Sequence, residues 1–325
     1  MTKVSIIIPS YKCKYVSHTI DDIYEHATGE IEVICILDGY WPDPMINDHK
    51  NLTIVHSGKN VGMRKAINMG ARIASGDYLL KCDDHCSLSP GFDEILKRDS
   101  QPNQLQVPSR YMLDVETWEK RREAIEYEYM VYPYRYLDRE RYGMGLHSKK
   151  WLGQLGANPL NMGKKQFYFR EHQRADIKID EIMVIHGSCW FMPKEHFFHI
   201  GGLEEVVFKS LYQEPQEVTF KTFLIGGKVV VNKNVWYAHM HKSQDEGLPT
   251  SREYNLDMKS MRDTERFGTA LWMNDKWAGA TRPMKWLIEH FWPIPEWPED
   301  WERQKVEWEA KYPIPLEDKY ELKGV

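Results

Sequence analysis

Two carboxylates and an imidazole stand side by side at Asp83, Asp84 and His85. They follow the apolar, β-compatible run 78–81, which predicts a short strand that ends at these acids. Carboxylate and imidazole groups bind Mn²⁺ or Mg²⁺ readily, and such an ion is usually shared with substrate phosphates. The alternative is an acidic turn whose Asp side chains cap the next helix. The residues around the motif are needed to distinguish a metal site from a capping turn.

The length, composition and net charge of the chain restrict the class of protein. The chain has 325 residues, of which 42% are apolar, so it can bury the core of one large domain or two modest ones. Its net charge of −5 argues against polyanion binding by the whole surface. No run of about 18 apolar residues predicts a membrane span. The N-terminus lacks a signal-peptide pattern, and the five cysteines include no CxxC pair, so we expect a soluble, cytoplasmic protein with reduced thiols.

The elements that must position the acidic motif alternate between strand and helix. Continuous apolar runs predict buried strands at 4–9, 31–37 and 52–56, and helical spacing predicts helices at 16–26 and 61–74. This order indicates an α/β fold, in which ligands bind outside the carboxyl ends of the strands. That edge would carry Ser10, Asp38, Lys59 and Asp83.

Four segments in this order resemble glycosyltransferase family 2 and its GT-A relatives. They are Val-Ser-Ile-Ile-Ile-Pro-Ser-Tyr from residue 4, Ile-Leu-Asp-Gly from 36, Asn-Val-Gly-Met-Arg-Lys-Ala-Ile-Asn-Met-Gly from 60, and Ser-Gly-Asp-Tyr-Leu-Leu before Asp83-Asp84-His85. The resemblance covers about residues 3–100 and resumes at about 180–242. The Asp-x-His form, flanked by cysteines, looks more like the polypeptide N-acetylgalactosaminyltransferases than the Asp-x-Asp of most family 2 members.

The resemblance implies a Rossmann-like GT-A fold, with a mostly parallel central sheet and flanking helices. We expect a catalytic domain at 1–242, interrupted by an insertion at about 115–178, and a C-terminal arm at 243–325. The implied donor is a nucleotide sugar, above all a UDP-sugar. The donor-binding residues implied are Pro9, Ser10, Tyr11, Lys12, Asp38, Arg64, Lys65, Asp84, Gly187, His241 and Lys242.

A divalent ion, Mn²⁺ or Mg²⁺, is the implied cofactor, with Asp83, His85 and His239 as its ligands. His239 follows a predicted strand at 228–237, and we expect His241 on the opposite face if that strand persists. The base of the nucleotide and its ribose are assigned to residues 9–12 and Asp38, and the diphosphate to Arg64 or Lys65.

Glu214 and Glu217 match the two glutamates of the family's Gly-Glu-Asp-x-Glu helix start. The position at which inverting members place a basic Asp is Pro215 here, so Glu214 would have to take that role. A retaining reaction, as in the N-acetylgalactosaminyl relatives, requires no such base. Two acids in the first turn of a helix are also explained by the helix dipole alone.

Residues 132–174 differ from the rest of the chain in charge and in aromatic content. They contain nine Lys and Arg against three acids, with eight aromatic residues among them, after a charged stretch at 116–129 that we predict to be a helix. Such a segment suits a nucleic-acid or other anionic acceptor, with Lys149, Lys150, Lys164 and Lys165 as contacts. It equally suits a lid over the donor diphosphate. A hydroxymethylated DNA base is therefore one candidate acceptor, and a saccharide or protein hydroxyl is the other.

Seven tryptophans occur between 272 and 308, and the prolines among them exclude one continuous helix. We expect an extended arm with two short helices, packed onto the catalytic domain or onto a partner.

Two alternative functions for the whole chain are a nucleotidyltransferase and a binding module. A nucleotidyltransferase would need a Gly-rich phosphate loop, which is absent after Pro9, and a carbohydrate- or nucleic-acid-binding module would not need the set of Asp83, His85 and His239.

Overall fold

The computed structural model describes residues 2–134, 148–150, 170–208, 211–242, 250–322, 324 and 325. In this part of the chain the helices are α1 (Val16–His26), α2 (Met63–Ile73), α3 (Phe92–Arg98), α4 (Arg170–Gln173), α5 (Lys194–His199), α6 (Glu214–Leu224), α7 (Met258–Met273), α8 (Met284–His290) and α9 (Trp301–Lys311). The strands are β1 (Val4–Ser10), β2 (Ile31–Asp38), β3 (Leu52–Ser57), β4 (Tyr78–Cys82), β5 (Cys86–Leu88), β6 (Gln104–Asp114), β7 (Glu119–Ile125), β8 (Glu128–Met130), β9 (Ser148–Lys150), β10 (Ile179–Glu181), β11 (Cys189–Pro193) and β12 (Lys228–His239). None of the described helices is both long and apolar enough to cross a bilayer.

One large sheet with strand order β10-β12-β6-β11-β4-β1-β2-β3 organises the molecule. β1 is parallel to β2 and β4, and β2 is parallel to β3, as the strand and helix pattern predicts. β11 lies between β4 and β6 and is antiparallel to both. The carboxyl ends of β1, β2 and β4 therefore meet at one edge, and the polar residues that end these strands are brought together there.

The first strands are apolar throughout because helices cover both faces of the sheet. Ile6 and Ile8 of β1 pack in the same hydrophobic cluster as Ile20 of α1. Ile7, between them, points to the other face and packs in the cluster that contains Ile67 of α2. Each such buried side chain contributes roughly 1.5–3 kcal/mol, which anchors the strand ends that carry the site.

The predicted helix at 116–129 is wrong, because these residues form strands β7 and β8. β7 pairs antiparallel with β6, and Asp114 lies opposite Glu119. The turn between them places Trp118 at a φ of 58°, and the Asp114 carboxylate accepts a hydrogen bond from the backbone N–H of Glu116 at 2.8 Å. Pairing with β6 outweighs the helix propensity of the Glu, Lys and Arg residues.

The tryptophan-rich tail packs into the main hydrophobic core. Five of its tryptophans are buried in the cluster that also contains Val229 and Val231 of β12: Trp272, Trp277, Trp297, Trp301 and Trp308. Trp272 lies edge-on to Phe220 of α6, with ring centroids 5.4 Å apart. One core therefore contains residues from both sides of position 242, where we expected a domain boundary.

Candidate active site

A cavity of about 550 Å³ opens at the carboxyl edge of the parallel strands. Ten residues singled out from the sequence line it: Pro9, Ser10, Tyr11, Asp38, Asp83, Asp84, His85, His239, His241 and Lys242. The opposite wall comes from residues 252–261, which sequence reasoning did not assign to the site. A cavity of this size outside the carboxyl ends of the strands is the usual place for a ligand in an α/β sheet.

Asp83, His85 and His239 come together at one end of this cavity. One ligand atom from each lies within 4.8 Å of the others. The side chain of His239 is 12% exposed, and its Nδ1 atom has no hydrogen-bond partner among the described residues. Its Nε2 atom lies 3.3 Å from Oδ2 of Asp83. Burial holds the pKa of His239 well below its ordinary value, so the imidazole is neutral and has a lone pair to offer.

This donor set fits a divalent ion. One carboxylate and two imidazoles suit Mn²⁺, and Mg²⁺ accepts the carboxylate with water and phosphate oxygens. The decisive observation is the convergence of the three side chains, whose ligand atoms lie within 4.8 Å of one another. A capping role for Asp83 is not seen: its Oδ1 atom accepts a hydrogen bond from Lys81 Nζ at 2.5 Å.

Lys81 is another residue at this site that sequence reasoning missed. Its side chain is 1% exposed, and its ammonium donates to Oδ1 of Asp83 and to the carbonyl of Gly187, each at 2.5 Å. Burial would lower the pKa of Lys81, but the carboxylates of Asp83 and Glu214 raise it above its ordinary value. The same ammonium, with His239, holds the pKa of Asp83 well below its usual range although burial opposes this. A lysine inside the apolar run 78–82 was the available signal.

Asp84 is buried and lies between the nucleotide side and the metal side of the cavity. Its Oδ2 atom accepts a hydrogen bond from Ser10 Oγ at 2.6 Å, and its Oδ1 atom lies 2.6 Å from His85 Nδ1. Lys242 Nζ is 3.6 Å from the same Oδ1. Burial would raise the pKa of Asp84, and the charge of Lys242 with the bond to His85 brings it below its ordinary value.

Asp38 binds the backbone of the loop that precedes α2. Its carboxylate accepts hydrogen bonds from the backbone N–H groups of Val61 at 2.6 Å and Gly62 at 2.9 Å. Across the cavity, the ring of Tyr254 lies 5.0 Å from that of Tyr11. Lys12 and Lys65 are exposed and do not line the cavity. Of the residues expected at the nucleoside, Pro9, Ser10, Tyr11 and Asp38 line the cavity.

Arg64 and Glu217 form a buried ion pair away from the cavity. Glu217 also accepts from Lys221 Nζ at 2.6 Å and from the backbone N–H of Glu204 at 2.8 Å. Burial would raise the pKa of Glu217, but Lys221 and Arg64 lower it. These contacts tie α2 to α6, and neither Arg64 nor Glu217 lines the described cavity.

Glu214 is buried beneath the cavity, directly behind Gly187. Its Oε1 atom accepts a hydrogen bond from Trp190 Nε1 at 2.6 Å, and a Cβ at Gly187 would come within 2.5 Å of its Oε2. Burial raises the pKa of Glu214, against the opposing charge of Lys81. Neither Glu214 nor Gly187 lines the described cavity.

His239 and His241 both line the cavity, so the expectation of opposite faces is wrong. Residues two positions apart in an extended chain share a face. A nitrogen of the Arg110 side chain contacts Nε2 of His241, and burial together with this cation lowers the pKa of His241 to about 4. Among the acceptor candidates, the side chains of Lys149 and Lys150 and the whole of Lys164 and Lys165 lie outside the described residues.

The model of the family described as glycosyl transferase family 2 matches residues 5–199, more than half of the chain. The chain belongs to glycosyl transferase family 2. Human polypeptide N-acetylgalactosaminyltransferase 15 is 25% identical over 207 residues, which are 64% of this chain and 29% of that protein. The crystal structure of GalNAc-T7 with UDP, GalNAc and Mn²⁺ has a TM-score of 0.58 at 13% identity and covers 96% of this chain and 51% of its own. That likeness confirms the GT-A fold, and this family 2 chain spans only part of either relative.

Proposed function

We propose that the protein is a metal-dependent glycosyltransferase that moves a sugar from a nucleotide-sugar donor, in the first place a UDP-sugar, to a hydroxyl acceptor. The observation that carries the proposal is the convergence of Asp83, His85 and His239 at one end of the cavity. The other end has the strand-end residues Ser10 and Asp38. Membership of family 2 and the UDP and Mn²⁺ in the GalNAc-T7 structure support the same donor and ion.

A divalent ion held by Asp83, His85 and His239 would supply Lewis-acid stabilisation of the departing nucleotide diphosphate. Lys242 and Arg252, which both line the cavity, add fixed positive charge near the same diphosphate. Pro9, Ser10, Tyr11 and Asp38 position the nucleoside. The rings of Tyr11 and Tyr254 exclude water from that end of the cavity.

For an inverting reaction, Glu214 is the better candidate base of the two glutamates. Its raised pKa suits proton acceptance, whereas Glu217 is held between Arg64 and Lys221. Reaching an acceptor hydroxyl requires Glu214 to act past Gly187, which has no side chain to obstruct it. A retaining reaction needs no base, and Glu214 would then only balance the charge of Lys81.

We propose a nucleic acid with a hydroxyl handle, such as a hydroxymethylpyrimidine, as the acceptor, with a saccharide or protein hydroxyl as the alternative. The support is the net charge of +6 in residues 132–174, set in a chain of −5. Two of the aromatic residues of that segment, Tyr132 and Tyr134, are buried against Trp297 and Trp308 and are packing residues. The proposal therefore depends on the basic residues.

The donor and ion are tested by screening nucleotide sugars for Mn²⁺-dependent hydrolysis and binding. We expect Asp83→Ala to abolish both, because it removes the only carboxylate of the described ligand set. Asp93→Asn is the matched control, since Asp93 is a buried carboxylate that accepts hydrogen bonds from Thr28 and Gly29, outside the cavity. Full transfer by Asp83→Ala in EDTA would refute the proposal.

The acceptor is tested by DNA binding at increasing salt. Simultaneous replacement of Lys149, Lys150, Lys164 and Lys165 by Ala should flatten the salt dependence and leave UDP-sugar binding unchanged. Salt-independent activity on a neutral oligosaccharide, unaltered in the quadruple variant, would exclude the nucleic acid and favour the saccharide.

A further inference from the structure

The residue between the two proposed metal ligands is a buried carboxylate, Asp84, which is 3% exposed. Its two oxygens have different partners. Oδ2 accepts a hydrogen bond from Ser10 Oγ at 2.6 Å, which fixes the carboxylate against the end of β1. Oδ1 lies 2.6 Å from Nδ1 of His85 and 3.6 Å from Nζ of Lys242. An ionised carboxylate only accepts, so the short contact places a hydrogen on Nδ1 of His85.

His85 belongs to two groups of side chains that are close enough to share an ion. One group is Asp83, His85 and His239, and the other is Cys13, Asp84 and His85. The second group would use Nδ1, since Cys13 Sγ is 4.0 Å from that atom. The Cys13 thiol donates a hydrogen bond to the backbone carbonyl of Asp84 at 3.3 Å, and Mn²⁺ and Mg²⁺ prefer carboxylate and water ligands to thiols. With Nδ1 occupied by Asp84, only Nε2 is left for an ion.

We propose that Asp84 is a positioning residue that holds His85 in the tautomer with the hydrogen on Nδ1, so that Nε2 is presented to a divalent ion beside Asp83 and His239. The inference deepens the proposed function and rests on its metal site. A carboxylate behind a metal-binding imidazole fixes the ring orientation and increases its basicity, and loss of such a partner typically weakens metal binding 10–100-fold.

The same carboxylate links the two ends of the cavity. Ser10 lies where the nucleoside is proposed to bind, and Lys242 lies where the diphosphate is proposed to bind. Both contact Asp84, as does His85. Asp84 therefore contacts residues on both the nucleotide side and the metal side of the cavity.

The test compares the full-length native chain with Asp84→Asn, Asp84→Ala and the control Asp93→Asn. Mn²⁺ affinity is measured by electron paramagnetic resonance titration without any sugar donor. The tautomer of His85 is read in the metal-free protein from the ¹⁵N shifts of its ring nitrogens. A carboxamide oxygen can accept the same Nδ1–H bond, so Asp84→Asn should keep the native tautomer and a Kd within about fivefold of native. Asp84→Ala should lose the tautomer preference and raise the Kd 10–100-fold.

Native Mn²⁺ affinity in Asp84→Ala would overturn the inference. So would an equal loss in Asp84→Asn and Asp84→Ala, because the charge and not the position of the group would then matter. If the native chain binds no Mn²⁺, the proposed metal site fails. The ¹⁵N shifts of the metal-free protein then still decide whether Asp84 sets the tautomer of His85. Circular dichroism and the melting temperature of each variant separate these outcomes from loss of the fold.

Discussion

Replacement of Lys81 by Met tests the buried charge network below the cavity. Met matches the length of the lysine stem and is apolar, so the change removes the ammonium and keeps most of the packing. In the native chain that ammonium bonds to Asp83 Oδ1 and to the Gly187 carbonyl, each at 2.5 Å, and its charge also acts on Glu214. Lys81→Met therefore leaves two carboxylates and one carbonyl without their cation.

The expected cost is about 3–4 kcal/mol in the free energy of unfolding. Removing one partner of a buried ion pair costs roughly 3–5 kcal/mol, and an unpaired buried carbonyl adds about 1 kcal/mol or more. Two features reduce the sum. The side chain of Asp83 is 23% exposed and is partly solvated, and Glu214 can take up a proton because burial already raises its pKa.

A double-mutant cycle with Glu214→Gln isolates the coupling. Gln can still accept the hydrogen bond from Trp190, so Glu214→Gln alone should cost only about 1 kcal/mol. With Lys81→Met present, Glu214 has lost its compensating cation and must either stay charged or take up a proton, and both cost free energy. Glu214→Gln removes that cost, so the double variant should be at least about 1 kcal/mol more stable than additivity predicts. The measurement is guanidinium denaturation at pH 7.5 in EDTA. Additivity within about 0.5 kcal/mol, or a cost of Lys81→Met below about 1 kcal/mol, would refute the network.

Three further predictions concern acid stability, the tail and catalysis. Glu32 accepts bonds from Ser5 Oγ at 2.5 Å and Ser75 N at 2.6 Å, and against the effect of burial these lower its pKa from 4.5 to about 2. Its contribution, about 1–2 kcal/mol after allowing for solvent screening, is present above pH 4.5 and lost as the pH falls towards 2. Urea denaturation should show a smaller loss over that range for Glu32→Gln than for the native chain, and equal losses would contradict the assignment. Trp272→Ala should cost about 3–5 kcal/mol in a single unfolding transition, since Trp272 is 1% exposed; an early separate transition would show an independent tail. Glu214→Gln should lower turnover roughly 10²–10⁴-fold if the reaction inverts, and normal turnover would point to retention.

The fold of the first hundred residues could be predicted from the sequence because their strands are buried on both faces. Continuous apolar runs such as 4–9 arise only where helices cover both sides of a sheet, and these runs fix where polar residues leave the strands. Of the four residues that the strand ends predict at this edge, Ser10, Asp38 and Asp83 line the cavity and Lys59 does not.

Other parts of the site were not accessible to that reasoning. Lys81 occupies a strand position that alternation assigns to the core, and only its neighbours across the sheet reveal why a charge is tolerated there. Residues 252–261 reach the cavity by long-range packing, which local periodicity does not encode. The Arg64–Glu217 pair joins residues 153 positions apart, and local periodicity does not encode a contact of that range.

The cavity is lined by segments that are far apart in the sequence. Residues 9–11 and residues 252–261 both line it. The contact between Tyr11 and Tyr254 closes a loop of more than two hundred residues, so it forms only after the intervening sheet has assembled. The parallel strands and the Asp83-His85 corner can therefore fold before the cavity is complete.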